Sequence, residues 1–200
     1  MIYPAKVLTA PETRIVELDG EDGLKKHCNI SHSQRDALIT SYAIAAEDYV
    51  QWRTGRSFFE TDYETAFDCF KDELALPYGT PIKEVEIKYF DSEGNDAVAV
   101  DEDLYFINNA GLIGTVVLHL NKLWPSVTLR PRAGVQVLYT GGDDDVDVPN
   151  GIKQAVRLLV GAMWEHREGE IMPDRSGIQM LSFEYGVEAL LRQHQWSFPV

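Results

Sequence analysis

Apolar residues repeat at helical spacing between residues 33 and 53. Their intervals of four, three, four and three place them on one face of a helix. These residues are Leu38, Tyr42, Ala45, Tyr49 and Trp52. Ser33 followed three positions later by Asp36 predicts a cap at the start, and Gly55 predicts the end. The pattern therefore predicts a helix that turns this face towards a core.

A second apolar stripe predicts a helix over residues 150–167. Pro149 suits a helix start because its missing N–H costs nothing there, and Asp147 favours the positive end of the helix dipole. The stripe consists of Ile152, Ala155, Val156, Leu159, Val160, Met163 and Trp164. Two shorter helices are expected at 21–28 and 185–194. In the last of these, the residues expected to face inward are Val187, Leu190 and Leu191.

The middle of the chain alternates with period two, which is typical of β-strands. One alternating run is Tyr63, Thr65, Phe67 and Cys69, and another is Val85, Ile87 and Tyr89. Further strands are expected at 104–108, 112–120 and 134–140.

This order of elements predicts an α+β fold. A helical layer from both chain ends would carry an inserted antiparallel β-sandwich or small barrel. Residues 1–56 and 142–200 would form a discontinuous helical domain, and residues 57–141 would form the β domain.

The charge balance narrows the possible partners. The chain has 200 residues, with 32 acidic and 18 basic residues and a formal net charge of -14. Such a charge repels the phosphate backbone, so a dedicated DNA-binding protein is not expected. DNA that only passes along an acidic wall remains compatible with this charge.

Cysteine usage and hydropathy argue against several other classes of protein. Cys28 and Cys69 lack CxxC spacing, which argues against a disulfide framework or a zinc cluster, and both are expected to be buried thiols. The N-terminus lacks a secretion signal, and no uninterrupted run of 18 apolar residues occurs. The sequence therefore predicts a soluble protein made in the cytoplasm, without membrane contact.

The acidic run at 143–147 invites a calcium interpretation. Asp143, Asp145 and Asp147 occupy positions 1, 3 and 5 of a calcium loop, but Val148 stands where glycine is needed and Gln154 where glutamate is needed. A solvated turn before a helix is favoured. In an oligomer, these acids and Asp144 would alternatively line a channel or meet a neighbour's arginines.

No pattern of catalytic or cofactor-binding residues stands out. The histidines are scattered, without metal-ligand spacing, and no phosphate-binding loop occurs, so no metal or cofactor is expected. A hydrolase that uses the acidic run and His166 is the weakest hypothesis. A β-sandwich module that binds a glycan or calcium is the alternative kept open. Its candidate platform is Trp124, Tyr105 and Phe106.

Several motifs in fixed order carry a resemblance. Residues 45–56 read Ala-Ala-Glu through Thr-Gly-Arg, residues 139–142 read Tyr-Thr-Gly-Gly, and Phe183 begins the run Phe-Glu-Tyr-Gly-Val-Glu-Ala-Leu-Leu-Arg. Together with the helix at 148–168, they resemble the phage head-to-tail connector family of siphophages and gene-transfer agents. The resemblance spans about residues 30–192, and the loop at 169–182 departs from the family pattern by its length.

The resemblance implies a structural adaptor in the virion and not an enzyme. The chain would be made in the host bacterial cytoplasm and would form a ring, expected to be a dodecamer, at the head-to-tail junction. It would join the portal protein to a tail-completion or stopper protein, and DNA would pass through its axial channel. The implied docking residues are Trp196, Phe198 and Val200. Because copies with a charge of -14 repel one another, assembly is expected to depend on salt or on the portal.

Overall fold

The structure is a computed structural model that describes residues 2–9, 11, 13–79, 81–93, 96–111, 113–144, 147–166 and 186–194. The chain divides into two compact units. Met1–Glu12 and Arg56–Asp145 form the first, here called the β unit, and Thr13–Gly55 and Val146–Val200 form the second, the helical unit. The sequence predicts residues 1–12 to belong to the helical domain, but they fall in the β unit because their strand pairs there.

The helical unit contains the predicted helices. They are α1 (Leu24–His27), α2 (Asp36–Thr54), α3 (Asn150–Glu165) and helical residues 186–192, here called α4. Gly55 ends α2 in the left-handed conformation, with φ 69°, and its N–H donates to the carbonyl of Gln51 at 2.8 Å. Among the described residues, no helix is long and apolar enough to cross a membrane.

The face of α2 that packs into the core differs from the predicted one. The buried residues are Ile39, Ala43, Ala46, Glu47, Val50 and Thr54. Of the predicted face, Trp52 is 66% exposed, Tyr49 37% and Leu38 36%. The prediction was wrong because α2 carries two apolar stripes of nearly the same spacing, and periodicity alone does not rank them.

The predicted side-chain cap of α2 at Ser33 is not formed, whereas the predicted start of α3 at Pro149 is found. Helix α2 begins at Asp36 without a side-chain cap, and Ser33 contributes only its backbone carbonyl. The carboxylate of Asp36 instead pairs with Lys25 at 3.2 Å. Pro149 precedes α3 as expected, with φ -53°.

The apolar stripe of α3 is confirmed as its inner face in its first part, whereas Leu159, Met163 and Trp164 are only half-buried. Ile152, Ala155, Val156 and Val160 are buried. In α4, Val187 and Leu191 are buried and Leu190 is half-buried. The helical unit therefore draws its core from both ends of the chain.

The β unit consists of two antiparallel sheets. The first has the order β1-β2-β8-β4-β5 and the second β3-β7-β6. The strands are β1 (Lys6–Thr9), β2 (Thr61–Phe67), β3 (Glu73–Ala75), β4 (Ile82–Tyr89), β5 (Val98–Ala99), β6 (Tyr105–Asn108), β7 (Thr115–Leu118) and β8 (Val135–Gly141). The predicted α+β class with an antiparallel β region is confirmed.

Alternation along the central strands builds the core of the β unit. Buried and half-buried residues alternate along the whole of β2 and β8, as period two requires. Both sheets contribute to a single cluster of buried side chains. Its members are Tyr63, Phe67, Leu74, Leu76, Ile82, Ile87, Val100, Tyr105, Val116, Val135, Val137 and Tyr139. The two sheets thus share one core in the manner of a sandwich.

The cysteines are not the buried thiols that were expected. Cys69 is exposed and lies just beyond the end of β2, and Cys28 is partly buried. Burial and the nearby carboxylate of Glu165 raise the pKa of Cys28 above its ordinary value.

A bidentate ion pair joins α4 to α2. Arg53 donates from Nε to Glu188 Oε1 at 2.7 Å and from Nη2 to Oε2 at 2.6 Å. Since both side chains are partly exposed, we expect Glu188→Gln to lower the free energy of unfolding by only about 1 kcal/mol. The effect on α4 itself is larger, because this helix loses its ion pair with α2. Amide exchange at residues 186–192 should therefore accelerate.

The same pair predicts a dependence on pH. Arg53 lowers the pKa of Glu188, so its stabilising contribution is present above the ordinary glutamate pKa and disappears as the pH falls through the lowered value. The protection factors at 186–192, which correct amide exchange for its intrinsic pH dependence, should therefore fall on acidification in the wild type. If Glu188→Gln showed the same acid response, the pair would not be its cause.

Candidate interaction surfaces

The acidic run after β8 is partly neutralised within the β unit. Lys83 lies between Glu60, with which it forms an ion pair, and Asp143, whose Oδ1 is 3.0 Å from the lysine Nζ. The carboxylates of Glu60 and Asp143 raise the pKa of Lys83. Asp144 Oδ1 accepts a hydrogen bond from the backbone N–H of Glu60 at 2.9 Å. The first two acids of the run are thus held by contacts of their own chain.

Asp147 belongs to the helical unit and has a separate partner. Its Oδ1 lies 2.6 Å from Nζ of Lys153, and its side chain remains 87% exposed. Asp145 lies outside the described residues. Asp144 and Asp147 are therefore the described acids of this run with an exposed surface, whereas Asp143 is half-buried.

The docking residues implied by the resemblance lie outside the described residues. This holds for Trp196, Phe198 and Val200, and for the long loop at 169–182. Helix α4 before them ends at residue 192.

The described residues contain no group of three or more histidine, cysteine, aspartate or glutamate side chains arranged to hold a metal ion. Glu165 and His166 are exposed at the end of α3, and their sequence neighbours Arg167 and Glu168 lie outside the described residues. The described geometry thus offers no assembled acid-base site at this helix end.

The aromatic residues proposed as a glycan platform do not present free ring faces together, although the rings of Tyr105 and Trp124 lie 6.2 Å apart. The ring of Trp124 stacks on Phe70 with centroids 4.9 Å apart, and its Nε1 donates to the carbonyl of Lys71 at 2.7 Å. Tyr105 is only 6% exposed and belongs to the core. Phe106 is 42% exposed and contacts His119 instead. Because a stacking platform needs free ring faces, these three side chains do not supply one.

An open groove of about 870 Å³ lies in the β unit. Core side chains such as Tyr63 and Tyr139 line part of it, and a mixture of uncharged and charged residues lines the rest. The acidic members are Asp62, Glu84, Glu86 and Glu102, and Lys83 is the basic one. This charge disfavours phosphate or nucleic acid as an occupant.

Exposed apolar surface is the feature that the sequence analysis missed. On α2, the outward stripe includes Trp52, Tyr49, Ile44 and Leu38. In the loop after β7, Leu120 is 90% exposed and Leu123 82%. Exposed apolar side chains that cluster on a folded protein commonly mark contacts with other chains. The even distribution of apolar residues around α2 was a signal available in the sequence.

The comparison with protein families confirms the resemblance. The family of phage gp6-like head-tail connector proteins matches residues 22–106, which run from α1 through α2 into the β unit. No curated protein matches the chain.

Solved structures with the same fold come from gene transfer agent (GTA) particles. A chain from the neck of an empty GTA particle, computed with C6 symmetry, is 18% identical with a TM-score of 0.73, covering 99% of this chain and 98% of that one. A chain from the virion of a native GTA particle is 18% identical with a TM-score of 0.72, covering 98% and 97%. A chain from the neck of a native GTA particle, computed with C12 symmetry, is 20% identical with a TM-score of 0.68, covering 99% and 98%. The similarity extends over both units, and at these identities it establishes the fold.

Proposed function

We propose that this protein is a head-to-tail connector: a structural component of a phage or gene-transfer-agent particle that forms a ring between the portal and the tail-completion or stopper protein. The main support is agreement between two comparisons, the connector family over residues 22–106 and the neck-protein fold over 99% of the chain. The neck structures computed with C6 and C12 symmetry support a ring of identical chains, with twelve as the expected number.

The proposed role requires contacts and not bond-making chemistry. DNA would pass through the ring without being bound, which suits a net charge of -14 because acidic walls do not retain a polyanion. Within this proposal, Asp143, Asp144, Asp145 and Asp147 line a channel or meet a neighbour's cations. Of the members that the structure describes, Asp144 and Asp147 are exposed. Trp196, Phe198 and Val200 remain the proposed portal-docking residues.

The experiment is deletion of the gene in a strain that produces the particles. We expect filled or leaking heads separated from tails in negative-stain micrographs, and a fall of at least about 100-fold in infectious or transducing particles. Complementation with the wild-type gene should restore joined particles. Normal particle counts and normal morphology in the deletion strain would refute the connector function.

A further inference from the structure

Helix α2 is apolar on two sides, although among the described residues only one side is buried within its own unit. The exposed side carries Ala37, Leu38, Ser41, Ile44, Ala45, Asp48, Tyr49 and Trp52. We call this set the outer face of α2. A helix on the surface of a monomer normally turns charged residues to solvent, and a helix that is apolar all round is normally buried. The outer face therefore has the composition of a surface that becomes covered.

Charge is almost absent from the outer face. Asp48 is its single charged residue, although 25% of the whole chain is charged. Arg53, at the end of the helix, is engaged by Glu188 within the helical unit. A face without lysine or arginine is unsuited to DNA, whose binding needs cations against the phosphates.

The side chains of the outer face suit a protein partner. Trp52 and Tyr49 lie with ring centroids 6.0 Å apart and project from the last turns of α2. Tryptophan and tyrosine are enriched among the residues that contribute most to binding at protein interfaces. Ala37, Ser41 and Ala45 are small and let a neighbouring backbone approach closely.

From these features we infer that the outer face of α2 is the contact with a second copy of this chain. This inference rests on the proposed function, because a ring brings identical chains side by side. Copies that each carry a charge of -14 repel, so their contact is favoured where charge is sparse. A closed ring joins two different faces, so the outer face meets another part of the neighbour and not the neighbour's own α2 face.

The size of the outer face sets the strength of this contact. A helix of 19 residues is about 28 Å long and about 10 Å wide, which gives roughly 280 Å² of surface. A stable interface buries about 800 Å² on each partner. The outer face thus forms the centre of the contact, and free copies should associate weakly until a template or high concentration brings them together.

The test places a photo-crosslinking residue on the outer face in particles. The full chain carrying Trp52→p-benzoylphenylalanine is expressed in a producer strain whose own gene for this protein is deleted. After irradiation, the crosslinked products are identified by mass spectrometry. A product of two copies of this chain, at least tenfold more abundant than from Leu120→p-benzoylphenylalanine, is the expected result. Leu120 is the matched position because it is an exposed apolar residue of the β unit.

Any other product at position 52 overturns the inference. A crosslink to a different protein assigns the outer face to that protein, and a crosslink within one chain to residues 167–185 or 195–200 assigns it to an internal cover. Absence of a crosslink in assembled particles also contradicts a contact there. The two failures can be told apart. Normal particles from the deletion strain, together with a homotypic crosslink, would refute the connector function and leave the contact between copies. A defective deletion strain, together with a different crosslink at position 52, would refute this inference and leave the connector function.

A pair of serine variants provides an independent measurement. Trp52→Ser should reduce complete particles at least tenfold and leave the unfolding midpoint unchanged, since its side chain is 66% exposed. Leu120→Ser with Leu123→Ser removes comparable apolar surface elsewhere and should retain the crosslink between copies when combined with the probe at position 52. Unchanged particle yield in the α2 variant would overturn the inference.

Discussion

Replacement of Glu47 by alanine is expected to lower the free energy of unfolding by about 3 kcal/mol. Glu47 is 4% exposed on α2, and its Oε1 accepts a hydrogen bond from the backbone N–H of Ile15 at 2.8 Å. Its Oε2 accepts from Arg14 Nη1 at 3.1 Å. The alanine variant leaves a buried N–H without its acceptor, leaves a cavity and separates Arg14 from its counter-ion. Urea unfolding followed by circular dichroism measures the loss.

Glu47→Gln is the matched control because it keeps the volume and the acceptor for Ile15. Burial is the largest influence on Glu47 and raises the pKa of its carboxyl, while the Ile15 N–H and Arg14 lower it by less. The ionised form is therefore disfavoured in the folded protein, and a neutral amide should cost less than about 1 kcal/mol at neutral pH. Equal losses for Glu47→Ala and Glu47→Gln would show that the charge, and not the hydrogen bond and packing, provides the stability.

The sign of the pH dependence follows from the same raised pKa. A folded-state pKa above the unfolded one means that the folded protein takes up a proton first as the pH falls. The contribution of Glu47 is fully present below the ordinary glutamate pKa and is lost as the pH rises through the raised value. The wild type should therefore gain stability relative to Glu47→Gln on mild acidification. A gap between the two proteins that does not change with pH would contradict the raised pKa.

Glu47 also shows why the sequence did not identify the inner face of α2. The spacing of Leu38, Tyr49 and Trp52 is as regular as that of Ile39 and Val50, so periodicity permits either face. Selection between them depends on contacts with distant parts of the chain, among them the pairing of Glu47 with residues 14 and 15. A charged residue beside the buried stripe weakened the correct pattern, because a lone glutamate is read as solvent-facing.

In the β unit, too, some elements could be predicted from the sequence and others could not. Strands β2 and β8 were predictable because each has one buried face, which imposes alternation. Strand β1 was missed since all its residues are exposed at the edge of its sheet, where burial imposes no pattern. The partner of Asp143 was likewise unpredictable, because Lys83 reaches it through the pairing of β4 with β8 and not through proximity in sequence.

The motif Tyr139-Thr-Gly-Gly142 has a physical basis that a mutation can test. A Cβ added at Gly142 would lie 2.1 Å from the carbonyl oxygen of Phe59, and the φ of Gly142 is +94°. The obstructing atom is backbone, so no side-chain rotation relieves the clash. We expect Gly142→Ala to cost at least about 3 kcal/mol, since steric overlap adds to backbone strain. Soluble yield and the urea midpoint measure this loss.

Gly20→Ala separates the two causes. Gly20 also has a positive φ, +108°, but a Cβ there would meet nothing within 4 Å. It should cost about 1 to 2 kcal/mol, the strain of a left-handed conformation alone. The difference between the two variants then measures how closely the chain leaving β8 passes Phe59. Equal losses would show that the glycine at 142 serves only its backbone angle, and that this part of the motif does not depend on close packing.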